Sequence, residues 1–99
     1  MITPAHPDRR PGQNPEAPCP LGSLHRGYSG HVHHISASHD TGALPPEELE
    51  RRLIELGFVE GARVRILHEG LFGRDPIAVQ VNGATVALRR REAMAILVS

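Results

Sequence analysis

Apolar and polar positions repeat with two different periods along this chain, and the change of period divides it into elements. Leu49, Leu53 and Leu56 recur at i, i+4 and i+7, which puts them on one helix face with Ile54 beside them. Glu50, Arg51, Arg52 and Glu55 occupy the other side. Pro45-Pro46 followed by Glu47-Glu48 marks the start. Proline is pre-organised for a first turn, and carboxylates there meet the positive end of the helix dipole. Gly57 supplies the left-handed residue after the last turn, and Phe58 folds back onto it. The predicted helix covers residues 46–56.

After Gly61 the period falls to two. Val64 and Ile66 alternate with Arg63 and Arg65, and Ile77, Val79 and Val81 alternate with Ala78 and Gln80. Between the second strand and the third lies Asn82-Gly83, a strong hairpin signal, because both central residues of a type I′ turn need positive φ. Ala84, Val86 and Leu88 then point inward, with Thr85 and Arg89 outward. Residues 69–75 read as a loop closed by Pro76, and residues 91–95 as a single helical turn. Ile96-Leu97-Val98 is a closing strand. Upstream, Leu21, Leu24, Gly27, Gly30, Val32 and Ile35 predict a turn and a short strand over residues 31–36, followed by a polar loop over 37–43.

The pattern thus predicts a mainly β chain with about five short strands and one helix. A sheet that small has open edges unless it curls on itself. The economical arrangement is a small five-stranded SH3-like barrel with one inserted amphipathic α-helix. With 99 residues there is room for one such domain and a tail. Residues 1–19 carry five prolines before Pro20 and almost no bulky apolar side chains. They cannot bury enough surface to offset their ordering entropy, so they read as a disordered N-terminal tail, with the domain over 20–99. Cys19, at the tail's edge, reads as an exposed thiol.

Charge and composition narrow the function. Lys plus Arg and Asp plus Glu both number 11, so the chain has no net electrostatic attraction to nucleic acid or an anionic membrane. Aromatic content of 3 % leaves the core to aliphatic residues. Apolar runs fall far short of the roughly 20 residues that span a bilayer. The N-terminal segment lacks the apolar stretch of a secretory signal, and the single cysteine excludes an intrachain disulfide. Both features favour a cytoplasmic location.

Candidate chemistry is sparse. His31 and His33 on a regular strand share a face about 7 Å apart. With a third ligand from His25, His39 or Asp40 they would hold a divalent transition metal. The spacing lacks the ligand set of a structural site, so Fe²⁺ or Zn²⁺ there is expected to be weak and adventitious, and no cofactor is expected. Arg89-Arg90-Arg91 with Arg51 and Arg52 reads as a solvated strand end paired with Glu92, Glu50 or Glu55. It has no interleaved aromatics for nucleic acid. No nucleophile constellation or phosphate-binding loop is present, so no catalytic residue is assigned and the chain is not expected to be an enzyme. Leu71 and Phe72, between Gly70 and Gly73, stand out as large apolar residues in a loop. They mark either a contact surface, with Arg74 and Asp75 beside them, or a cap on the core in which Phe72 folds down.

The run Leu49-x-x-Arg52-Leu53-x-x-Leu56-Gly57-Phe58-x-x-Gly61-x-x-Val64-x-Ile66 resembles the helix-to-strand segment of ferrous iron transport protein A, FeoA. Gly73-Arg74-Asp75-Pro76-Ile77-x-Val79-x-Val81-x-Gly83 resembles that family's Gly-Asp-Pro-Ile loop and hairpin. Ala87-Leu88-Arg89-Arg90-x-Glu92-Ala93-x-x-Ile96-x-Val98 resembles its closing segment, and Leu21-x-x-Leu24-x-x-Gly27-x-x-Gly30-x-Val32 its opening motif. Phe58 stands where Leu is commoner, Glu60 and Leu71 where Pro is commoner, and Arg74 is an extra loop residue. The resemblance implies a small cytoplasmic accessory of ferrous iron uptake that binds the cytoplasmic GTPase region of a membrane Fe(II) transporter. Zero net charge and short apolar runs add the expectation of no nucleic-acid partner and no direct membrane insertion. The same barrel resembles the C-terminal domain of iron-dependent repressors, so a metal-responsive regulatory or transition-metal-binding protein is the alternative.

Overall fold

In the computed structural model the described residues are 18–37 and 44–99, the side chain of Phe72 excepted. The expectations for the tail up to residue 17, for His39 and Asp40, for the polar loop beyond residue 37 and for the Phe72 ring therefore fall outside what is described.

Six strands form one antiparallel sheet among the described residues: β1 Cys19–Pro20, β2 Ser29–Ile35, β3 Arg63–Phe72, β4 Asp75–Val81, β5 Ala84–Leu88 and β6 Ile96–Val98. Their order is β1-β6-β2-β3-β4-β5. The described residues also form two helices, α1 Pro46–Glu55 and α2 Arg90–Ala93, and a 3-10 turn over Leu21–Ser23. Five strands were expected; the sixth is β1, which pairs Cys19 with Val98 and Pro20 with Leu97. Cys19 is thus part of the sheet rather than of the tail.

Helix α1 forms where its apolar spacing and its ends agree. Pro46 opens it, Glu47 and Glu48 occupy the first turn, and Leu49 and Leu53 are fully buried. At its far end the Gly57 N–H donates to the Ile54 carbonyl at 2.9 Å and the Phe58 N–H to the Leu53 carbonyl at 3.0 Å. Gly57 has φ of +109°. This is the Schellman arrangement, and it turns the fully buried Phe58 back into the core. Ile54, expected on the buried face, is instead 51 % exposed.

One apolar interior joins the helix to the sheet. Leu49, Leu53 and Phe58 meet Val64, Ile66, Ile77, Val79, Val81, Leu88, Ile96 and Val98 in a single cluster. Each fully buried Leu, Ile, Val or Phe stabilises the fold by roughly 1.5–3 kcal/mol relative to exposure. The β4–β5 turn has Asn82 at φ +48° and Gly83 at +92°, the type I′ geometry the sequence predicts. The inward series on β5 fades toward this turn: Leu88 is buried, Val86 half-buried and Ala84 exposed.

The largest departure is at residues 69–75. The expected loop is the tip of a second hairpin, with Phe72 paired to Asp75 across Gly73 and Arg74 at φ +67° and +62°. Arginine in the left-handed region gives no turn signal in sequence, and the glycines on either side of Leu71-Phe72 read as a loop. The helical turn near the C-terminus starts one residue earlier than expected, at Arg90.

Three irregularities interrupt the ladders. Register shifts fall between Val32 and His34 on β2, between Ile66 and His68 on β3, and between Glu69 and Phe72 on β3. In each, the affected strand has one residue more than its partner, the signature of a β-bulge, which bends the strand and re-aims side chains. Near the last of them Gly70 sits so close to the backbone of Asp75 that a Cβ there would overlap it.

Candidate functional site

The bulge at residues 70–71 and the turn at 73–74 together shape the hairpin tip. Leu71 is carried outward and is 94 % exposed, far beyond any other large apolar side chain among the described residues. An exposed leucine is unremarkable alone; this one stands on a bulged strand end beside a tight turn.

The tip is anchored from below. Arg90, the first residue of α2, turns its guanidinium inward rather than to solvent. Its Nη1 donates to the carbonyls of Gly22 at 2.9 Å and Leu24 at 2.7 Å, and its Nε donates to the Arg74 carbonyl at 3.0 Å. Its Nη2 donates to Glu69 Oε2 at 2.5 Å. The Asp75 Oδ1 accepts the Arg90 backbone N–H at 2.7 Å and so caps α2. Glu92 Oε1 accepts the Arg89 N–H at 3.1 Å. Gly22 lies directly against the Arg90 carbonyl and Met94, with no room for a Cβ. One side chain thus ties the 3-10 turn, the β3–β4 hairpin and α2 together.

Of the residues singled out in the sequence, Leu71, Arg74 and Asp75 share this tip, and Phe72 closes the turn with Asp75. Asp75 faces α2 rather than solvent chemistry. Arg74 Nη1 donates to His25 Nδ1 at 2.8 Å, while the same Nδ1 lies 3.3 Å from Glu69 Oε2. One nitrogen cannot accept from Arg74 and donate to Glu69 at once, so the tautomer of His25 selects between them. Arg90, Glu69 and His25 were not legible as a unit. Arg90 sits in a run of three arginines, and only the fold distinguishes it from its exposed neighbours. Elsewhere Arg52 pairs with Glu92 at 3.8 Å, one of the surface pairings the arginine-rich segments suggested.

Glu69 is held below the ordinary carboxylate range. Partial burial pushes its pKa up, but the His25 hydrogen bond, the Arg90 charge and the Arg26 backbone N–H outweigh it. A depressed folded pKa contributes stability that is present above the unfolded value of about 4.3 and is lost as pH falls through the folded value. Thermal melts of the native chain and of Glu69→Gln are therefore expected to differ at neutral pH and to converge as pH falls through the lowered folded value. A gap independent of pH would rule out this role for the carboxylate.

The histidines are arranged otherwise than on a regular strand. The bulge at residue 33 puts His33 and His34 side by side, with Nδ1 atoms 2.9 Å apart and ring centroids 5.1 Å apart. They line a hollow with Glu50, Ile54, Val59 and Glu60. His31 lines a different hollow, with Arg63, Gln80 and Asn82. Among the described residues no group of three or more His, Cys, Asp or Glu side chains converges as a metal site would require. None of the described helices is long and apolar enough to cross a membrane.

Comparison with known proteins adds to this geometry. The FeoA domain model matches residues 19–99. The chain is similar to the FeoA of Stenotrophomonas maltophilia, solved in complex with zinc and described as an SH3-domain protein. The identity is 36 %, over 81 % of this chain and 88 % of that one, with a TM-score of 0.65. It is also similar to a FeoA-like protein from Clostridium acetobutylicum, 26 % identical over 84 % and 86 % of the two chains, with a TM-score of 0.68. A manganese-dependent transcriptional repressor solved with manganese is 29 % identical, with a TM-score of 0.66. There the match covers 83 % of this chain but 36 % of the repressor. No curated protein matches the chain.

Proposed function

This chain belongs to the FeoA domain family, which is linked to ferrous iron transport, and from that premise we propose how its geometry serves that system. The protein acts by contact rather than by chemistry. Its β3–β4 hairpin tip, with Leu71 at the apex and Phe72, Arg74 and Asp75 around it, docks on the cytoplasmic GTPase region of a membrane Fe(II) transporter and tunes uptake. The observation that carries this reading is Leu71, 94 % exposed on a strand end that Arg90 and Asp75 hold in place. Apolar side chains on pre-ordered backbone lose little entropy on binding, which suits a contact residue.

The alternative is a metal-responsive or metal-carrying barrel like the repressors that share the fold. The described residues favour it less. His33 and His34 offer two nitrogens to an ion, short of the closed ligand set of a structural site.

Leu71→Asp tests the docking reading. Because the side chain is almost wholly in water, the substitution is expected to change stability by no more than about 0.5 kcal/mol. Affinity for the transporter's isolated GTPase domain, measured by calorimetry, should fall by roughly 30-fold or more, as for a hot-spot residue. Unchanged affinity with an intact fold would remove the hairpin tip from the interface.

A further inference from the structure

We propose that the outer face of β2–β3–β4–β5, centred on Arg63 and Arg65, is a second docking surface, fitted to an acidic, carboxylate-bearing segment of a partner protein. The sheet register assembles it. Ser29 pairs with Arg65, Arg65 with Gln80, and Gln80 with Thr85, which makes one row of polar side chains across four strands. His31 pairs with Arg63 in the row beside it. The alternate residues Val64, Ile66, Val79 and Val81 are buried, so this row lies on the opposite, outward face. Arg63, Arg65, Gln80, Asn82 and Gly83 line two adjoining hollows, one shared with His31 and one with Ser29.

The chemistry of that lining is one-sided. Guanidinium groups donate and never accept. Asn82 is oriented, because its Oδ1 accepts the Arg63 N–H at 3.1 Å. With that oxygen engaged, its amide NH₂ adds a further donor to the lining. Among the described residues no carboxylate side chain lines either hollow, and neither Arg63 nor Arg65 is ion-paired. Glu60, the nearest acid along the chain, lines the His33–His34 hollow instead. In a chain with 11 basic and 11 acidic residues, such a face is a local segregation of charge rather than a general excess.

The spacing selects the occupant. Arg63 and Arg65 are two residues apart on one strand face, roughly 7 Å, the repeat at which an extended segment presents alternate side chains. Arginine forks match carboxylates with two parallel hydrogen bonds. Among its described residues the face carries no Phe, Tyr or Trp, and the His31 imidazole is a single ring where holding single-stranded nucleic acid takes a series of stacking side chains. The surface lies at the opposite end of β3 from the hairpin tip, and the inference stands whether or not that tip docks on the GTPase region.

A titration of the ¹⁵N-labelled full chain with a capped hexaglutamate peptide tests it. Shift changes are expected at Ser29, His31, Arg63, Arg65, Gln80 and Asn82. The apparent affinity should fall about tenfold in Arg63→Gln/Arg65→Gln, and stay unchanged in Arg51→Gln. Inorganic phosphate and an oligothymidylate serve as competing probes. Equal or tighter binding of either, shifts spread evenly over Arg51, Arg89 and Arg91, or undiminished binding by the double variant would each overturn the proposal. Native shift dispersion in the double variant is the fold control, and Arg65→Gln alone supplies the readout if that control fails.

Discussion

Phe58→Ala lowers the unfolding free energy by about 3–5 kcal/mol, the expected cost of deleting a fully buried aromatic ring. Two roles converge on this residue. Among the described residues it is the one aromatic ring that is fully buried, and it is the position after Gly57 whose N–H closes the α1 terminus on the Leu53 carbonyl. The backbone bond survives truncation, but the ring that fixes α1 against β3 and β4 does not. For a domain whose total stability is on the order of 5–10 kcal/mol, the loss is a large fraction. Chemical denaturation read by circular dichroism should show the midpoint collapse in Phe58→Ala. Phe58→Leu, which keeps most of the volume, should lose only about 1 kcal/mol. Equal losses in the two variants would mean that the ring is not what locks the helix down.

Arg90→Met produces the second large effect, by a different route. The methionine keeps the aliphatic stem but removes every donor. The carbonyls of Gly22, Leu24 and Arg74 each lose a hydrogen bond in a site where the arginine side chain is only 18 % exposed. At about 1 kcal/mol net per bond the carbonyl contacts alone amount to roughly 2–3 kcal/mol. In a domain of this size that is a fall in Tm on the order of 10 °C or more. The same substitution should broaden or shift the amide resonances of Gly73, Arg74 and Asp75, because Arg90 spans the gap between the 3-10 turn and the hairpin. Arg90→Lys recovers little, since an ammonium cannot bridge three carbonyls and a carboxylate in one plane. If Arg90→Lys restored full stability, charge rather than the planar fork would be the operative property.

Much of this architecture was legible in the chain. Leu49, Leu53 and Gly57 define a helix and its end by spacing and by the need for positive φ, and both follow from local physics. Asn82-Gly83 specifies its own turn for the same reason. The alternation of Val64 and Ile66 with Arg63 and Arg65 identifies the buried face of β3. What stayed hidden depends on distant partners. A bulge leaves no periodic trace, so the displacement of His33 beside His34 and the outward swing of Leu71 could not be read from a period of two. Arg74 in a left-handed turn contradicts its own propensity, and β1 is too short to show a pattern. Arg90 looks like Arg89 and Arg91 until Asp75 caps its helix and three carbonyls converge on its side chain. The exposed apolar residue Leu71 was therefore visible in the sequence, while the hydrogen bonds of Arg90 and Asp75 beneath its hairpin were not.

The short outer strand β1 has a further consequence for behaviour at high concentration. Pro20 lacks the N–H that a neighbouring molecule would need in order to continue the ladder past Cys19. Intermolecular growth of the sheet, the route by which small β proteins turn into fibrils, is blocked on that flank. Any tendency to polymerise falls to the other border, along β5.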